Sequence, residues 1–159
     1  MISTQKIVSN LWFDKNAEEA VNFYTTIFKN SKIGKISRYT KEGFETHKMP
    51  AGSVMTIEFQ IEGQEFLALN GGPVFKFNEA VSFVIPCKDQ EEIDHYWYKL
   101  IADGGEESMC GWCKDKFGLS WQVVPTLLGE LMSNPENGQR VVQAFMKMRK
   151  FDIEALQNA

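Results

Sequence analysis

Apolar and polar residues alternate most clearly over residues 53–61. Met55, Ile57, Phe59 and Ile61 fall on one side of an extended chain and Thr56, Glu58 and Gln60 on the other. That pattern predicts a strand with one buried face, and Glu62-Gly63 turns it into a hairpin with residues 64–70. Upstream, residues 7–13 form an apolar, aromatic run suited to a buried strand. Asn16 then opens a helix, because its side chain can accept a hydrogen bond from an unpaired backbone N–H and Glu19, three residues on, completes a capping box. Ala17, Ala20, Val21, Tyr24, Ile27 and Phe28 recur at helical spacing, and Lys29-Asn30-Ser31 ends the helix. Ile33, Ile36 and Tyr39 alternate poorly, so residues 32–40 read as an irregular edge strand and residues 41–52 as a long polar loop.

Past the break at Gly71-Gly72-Pro73 the same pattern starts again. Asp89-Gln90-Glu91-Glu92 repeats Asn16-Ala17-Glu18-Glu19, cap and capping-box acid included, at an offset of 73 residues (89 minus 16). Val81 to Cys87 matches the first strand; Ile93, Tyr96, Trp97, Leu100 and Ile101 give a second amphipathic helix, stopped by Gly104-Gly105. Residues 106–109, 112–114 and 119–124 complete the copy as strands, so each half reads as strand, helix, three strands. The tail departs from the repeat: Leu127, Leu128, Leu131 and Met132 form a short helix. Asn134-Pro135 restarts one that buries Val141, Val142, Phe145 and Met146, and Asp152 caps a last turn with Ile153 and Leu156. These apolar faces need a cover, either their own sheet or a second subunit.

Composition narrows the partners. The chain has 159 residues, a net charge of −4 and scattered Lys and Arg, which gives no basic face for nucleic acid or anionic lipid. No apolar run approaches the span of a bilayer, and Met1 to Ser9 carries no signal-peptide core, so a cytoplasmic protein is expected. Three cysteines, an odd number, fit reduced thiols better than a disulfide framework.

Four phrases carry a resemblance: Leu11-Trp12-Phe13-Asp14; Ala17-Glu18-Glu19-Ala20 through Phe23-Tyr24; the run from Gly63 to Pro73; and Gly111-Trp112-Cys113-Lys114-Asp115 through Trp121-Gln122. Across nearly the whole chain they resemble the PhnB-like, 3-demethylubiquinone-9 3-methyltransferase-like family of the glyoxalase/bleomycin-resistance/dioxygenase superfamily, the vicinal-oxygen-chelate fold. The resemblance implies an α+β fold of two tandem βαβββ modules curled into a cupped mixed sheet. It also implies one domain over 1–159: module one about 1–72, module two about 73–125, a helical extension about 126–159. It implies a homodimer as well. In the superfamily's enzymes His and Glu side chains from both copies hold a divalent metal inside the cup. Here those positions fall on Ser9, Leu67 or Leu69, Ser82 and Gln122, with Asn10 replacing Ser9 if the first strand slips by one. None is a strong metal ligand, so no metal and no cofactor are expected. The methyltransferase name also lacks support in motif, since no glycine-rich loop follows a first strand to hold S-adenosylmethionine.

The site residues that follow are Ser9, Ser82, Trp112, Gln122 and Asn70. Ser82 and Gln122 are polar side chains on apolar strands and need partners, from a ligand or from water. Trp112 can stack on a planar ligand, whereas Trp121, one residue from Gln122, points to the helices and into the core. Asn70-Gly71-Gly72 can let a ligand approach the backbone, although a flexible joint between the copies is the plainer reading. Cys110-Gly-Trp-Cys113 has redox spacing but lies among strands and lacks a second ligand pair, so packing explains it better. Lys114 and Asp115 can supply a cation and a base, yet beside Gly118 they read as turn chemistry. The functional expectation is a metal-independent small-molecule-binding protein. The alternatives are an enzyme (a lyase, isomerase or dioxygenase with atypical metal ligands, or the methyltransferase of the family name) and a structural or regulatory dimer.

Overall fold

The computed structural model describes residues 5–159; the first four residues of the Met1–Ser9 stretch lie outside them. The chain divides into two compact units with the boundary between Lys76 and Phe77.

The first unit contains β1 (Ser9–Phe13), α1 (Ala17–Ile27), β2 (Ser31–Arg38), α2 (Phe44–His47), β3 (Val54–Ile61) and β4 (Gln64–Asn70). Its sheet runs β1-β4-β3-β2, with β1 parallel to β4 and the other pairs antiparallel. A parallel pair cannot be joined by a tight turn: α1 carries the chain from β1 across to β2 at the far edge, and β3 and β4 then return antiparallel until β4 lies beside β1. Tyr24 on α1 stacks on Phe59 at 6.3 Å, and Phe59 on Phe66 at 5.2 Å, so the predicted helix face and strand face meet in one core.

The second unit repeats the scheme with β5 (Ser82–Cys87), α3 (Gln90–Leu100), β6 (Glu106–Glu107), β7 (Trp112–Lys114) and β8 (Ser120–Pro125), ordered β5-β8-β7-β6, again with the outer pair parallel. Three tail helices follow: α4 (Leu128–Ser133), α5 (Gly138–Phe145) and α6 (Ile153–Gln157). The architecture is therefore α+β, with two four-stranded mixed sheets and a helical C-terminal part. The tail covers its own unit. Met148 and Arg149 accept hydrogen bonds from the backbone N–H groups of Cys110 and Gly111, at 2.7 and 2.8 Å, and Phe151 and Leu156 are fully buried.

Three local expectations change. The loop 41–52 contains α2, one turn set between Gly43 and Lys48, both with positive φ; His47 lies on Tyr39 at 4.5 Å and its Nδ1 accepts from the N–H of Met49. The two helix starts are not alike. Asp89 caps α3 by accepting from the N–H of Glu92, but Asn16 makes no side-chain cap bond, and the N–H of Ala17 donates instead to Asn70 Oδ1 at 2.9 Å. The repeat offset also slips. The helices keep 73 residues (90 minus 17), whereas Phe13 and Cys87, whose carbonyls accept from Gly71 and Thr126 at equivalent strand ends, are 74 apart (87 minus 13). One extra residue sits in the first strand–helix joint.

Candidate functional site

On β8, Trp121, Val123 and Pro125 pack toward α3, which leaves Ser120, Gln122 and Val124 on the opposite face. The register places Ser82 beside Ser120, Val84 beside Gln122, Trp112 beside Gln122 and Lys114 beside Ser120. Ser82, Trp112, Lys114, Ser120 and Gln122 thus share the sheet face turned away from α3. Gln122 Nε2 donates to Ser82 Oγ at 2.8 Å. Three of the five residues expected from sequence, Ser82, Trp112 and Gln122, come together here.

Next to them is a cleft of about 120 Å³ lined by Glu79, Glu106, Glu107, Ser108, Trp112, Cys113, Lys114 and Ser120. Lys114 forms an ion pair with Glu79, and this contact raises the lysine pKa and lowers that of the glutamate. Glu107 accepts from Trp97 Nε1 at 3.0 Å and pairs with Arg149 at 3.4 Å. Ser120 is 1% exposed and its hydroxyl has no hydrogen-bond partner. Alternation from Gln122 could have placed Ser120 on this face; no pattern in the sequence marks Glu79 or Glu106.

Two of the three thiols, Cys87 and Cys113, are buried and held protonated. Cys113 is 1% exposed, and burial, reinforced by Asp115 and Glu107, pushes its thiol up to about 12. Burial does the same to Cys87, with Glu92 and Asp89 adding to it. No disulfide links Cys110 to Cys113. Asp115 is turn chemistry as read: its Oδ1 accepts from the N–H groups of Phe117 and Leu119, and its Oδ2 from Trp121 Nε1 at 2.9 Å.

Ser9 and Asn70 belong to the first unit. Ser9 shares the side of β1 that carries the buried Leu11 and Phe13, while Asn10 points the other way and is exposed. The 74-residue strand offset makes Val8 the counterpart of Ser82 (82 minus 8), and the aligned ends of β4 and β8 make Leu67 that of Gln122. Val8 and Leu67 line a separate, largely apolar cleft of about 240 Å³ with Phe59 and Phe66. Asn70 is 3% exposed, and both its polar atoms are engaged, Oδ1 by Ala17 and Nδ2 as donor to Val54 O at 3.1 Å. Its neighbour Gly71 is not a loose joint. A Cβ there would lie 2.3 Å from the Trp12 indole, whose Nε1 donates to Gly72 O at 2.9 Å.

A resident divalent metal does not fit this donor set. The paired side chains on the face are a neutral amide and a hydroxyl, and among the described residues no group of three or more His, Cys, Asp and Glu is placed to hold a metal ion.

The family model described as 3-demethylubiquinone-9 3-methyltransferase matches residues 5–124. Among solved structures, a putative 3-demethylubiquinone-9 3-methyltransferase, PhnB protein, from Bacillus cereus is 38% identical, covering 76% of this chain and 99% of its own, with a TM-score of 0.66. A protein from Pseudomonas aeruginosa is 19% identical, covering 77% and 98%, with a TM-score of 0.58. The genomically encoded fosfomycin resistance protein FosX from Listeria monocytogenes is 18% identical, covering 79% and 94%, with a TM-score of 0.50. The last two show likeness of fold alone. No curated protein matches significantly.

Proposed function

The chain belongs to the 3-demethylubiquinone-9 3-methyltransferase-like family of the glyoxalase/vicinal-oxygen-chelate superfamily, and from that membership we propose a protein that binds a small molecule on the face of its second sheet turned away from α3, without the superfamily's usual divalent metal. Superfamily membership supports small-molecule binding as such; the ligand contacts are the proposal. The observation that carries it is the Gln122–Ser82 hydrogen bond on a face not covered by α3. An amide bonded to a single hydroxyl keeps an acceptor oxygen and a second N–H for a ligand, and Trp112 beside it offers an aromatic surface. A neutral polar pair orients a ligand through hydrogen bonds and does not polarise it as a metal does.

The reading extends to a homodimer in the cytoplasm, supported by partly exposed Ile33 and Ile36 on edge strand β2 and by three unpaired cysteines. The test is a thermal-shift and calorimetric screen of small metabolites on the full chain, repeated with Gln122→Ala and Ser82→Ala. A ligand of this face loses about tenfold in affinity with either variant, the worth of one hydrogen bond to a polar partner. Stoichiometric Fe, Mn, Ni or Zn in the purified protein would overturn the metal-free reading.

A further inference from the structure

Beside the Ser82–Gln122 pair, the cleft against β7 carries a charge pattern of its own. Glu79 and Glu106 line it with Lys114 between them: the lysine pairs with Glu79 and also feels the charge of Glu106 opposite it on β6, although it makes no direct ion pair with Glu106. Acidic side chains alone bind nothing in particular. Here, however, Ser120, 1% exposed and lining the same cleft, has a hydroxyl without a partner, and a buried hydroxyl left unpaired costs free energy until something hydrogen-bonds to it. Trp112 supplies an indole wall.

We propose that this cleft takes the ammonium group of a small organic amine, which makes an amine the ligand class of the face described above; the inference rests on that reading. A primary ammonium has three N–H donors and no acceptor. Ser120 Oγ and the carboxylates of Glu106 and Glu79 are three acceptors of the right kind, and the carbon chain of the amine lies against the apolar surface of Trp112. A cleft of about 120 Å³ suits a head group of a few heavy atoms. Lys114 already holds Glu79, so it opposes the incoming cation in charge and competes for the same carboxylate. That competition sets the sign of the test.

The test titrates propylammonium chloride and, separately, sodium propionate into the full-length protein, following backbone amide resonances of Ser120 and Trp112. The amine shifts them and the carboxylate does not. Glu106→Gln and Glu79→Gln each weaken the amine about 2- to 5-fold, as expected for one partly exposed ion pair, while Lys114→Met strengthens it by a similar factor. Glu79 and Glu106 are exposed and Lys114 is 34% exposed, and Met keeps most of its aliphatic length, so the fold tolerates the changes. If propionate shifts those resonances and Lys114→Met abolishes the effect, the cleft is an anion site and the proposal is wrong; silence from both probes also overturns it. A metabolite that depends on Ser82 and Gln122 yet ignores Glu79 and Glu106 would defeat the amine assignment and leave the face itself standing.

Discussion

Asn70 shows how one residue type can look like a site and serve as a brace. It closes β4, caps α1 through Ala17 and holds the carbonyl of Val54 at the start of β3, all from a side chain 3% exposed. Replacement by Ala strands two buried backbone groups, each costing about 1–3 kcal/mol. Asn70→Ala is therefore expected to lower the urea midpoint by the equivalent of about 2–6 kcal/mol, and Asn70→Asp does not rescue the loss at neutral pH, because it sets a buried carboxylate oxygen against the Val54 carbonyl. The cysteines make a second residue-scale case. With the thiols of Cys87 and Cys113 pushed up to about 12, neither supplies thiolate at neutral pH. Native protein should react with one equivalent of a thiol-specific disulfide reagent, at the half-exposed Cys110, and denatured protein with all three. Rapid labelling of Cys113 in the native state would return the CxxC pair to candidate chemistry.

Between the two copies, helix capping is where sequence and structure part. Asp89 makes the cap bond its pattern predicts, and Glu92 reaches back to the N–H of Lys88, one residue before the cap. Asn16 occupies the matching position and makes no such bond. Asp89→Ala is thus expected to cost about 1 kcal/mol in chemical denaturation and Asn16→Ala only a few tenths. Equal losses would mean that Asn16 caps α1 in solution. The helices, the alternation of β3 and the last strand of each copy were legible because periodicity depends on which side of one element is buried. The substitution of Asn70 for Asn16 was not, because a bond 53 residues away leaves no local pattern. The same limit explains the site. Gln122, Ser82 and Trp112 stood out as polar or aromatic residues on strands, but Glu79 and Glu106 come to Lys114 and Ser120 through loop and edge geometry. Ser9 came from the superfamily's ligand positions; the extra residue in the first strand–helix joint makes Val8 the strand counterpart of Ser82.

At the scale of the molecule, both units repeat one scheme but only the second carries a tail, and the attachment of that tail can be ranked by magnitude. Phe151 is fully buried beside Phe145, and an added Cβ on Gly111 would strike its ring at 2.4 Å, so the ring fills its space closely. Gln90 binds the same segment twice, donating to Phe151 O and accepting from the N–H of Ile153. An ion pair of Lys150 with Asp94 lies at the surface. Partial burial pushes the Asp94 carboxyl up, but hydrogen bonds from Lys150 and Gln90 outweigh it and hold the pKa below the ordinary 3.8. A depressed carboxyl contributes stability above its unfolded pKa and loses it as pH falls through the folded value. Asp94→Asn should therefore destabilise the protein at pH 7 and converge with the parent as the pH falls through the depressed Asp94 value. Because the Asp94 side chain is 41% exposed, the neutral-pH difference is only about 0.5 kcal/mol. Phe151→Ala, by contrast, leaves a cavity worth about 3–5 kcal/mol at any pH. Denaturation of both variants at pH 7 and at a pH below the Asp94 value separates the two contributions. Apolar packing holds the tail if the Phe151 loss is the larger at both values and only the Asp94 loss disappears in acid.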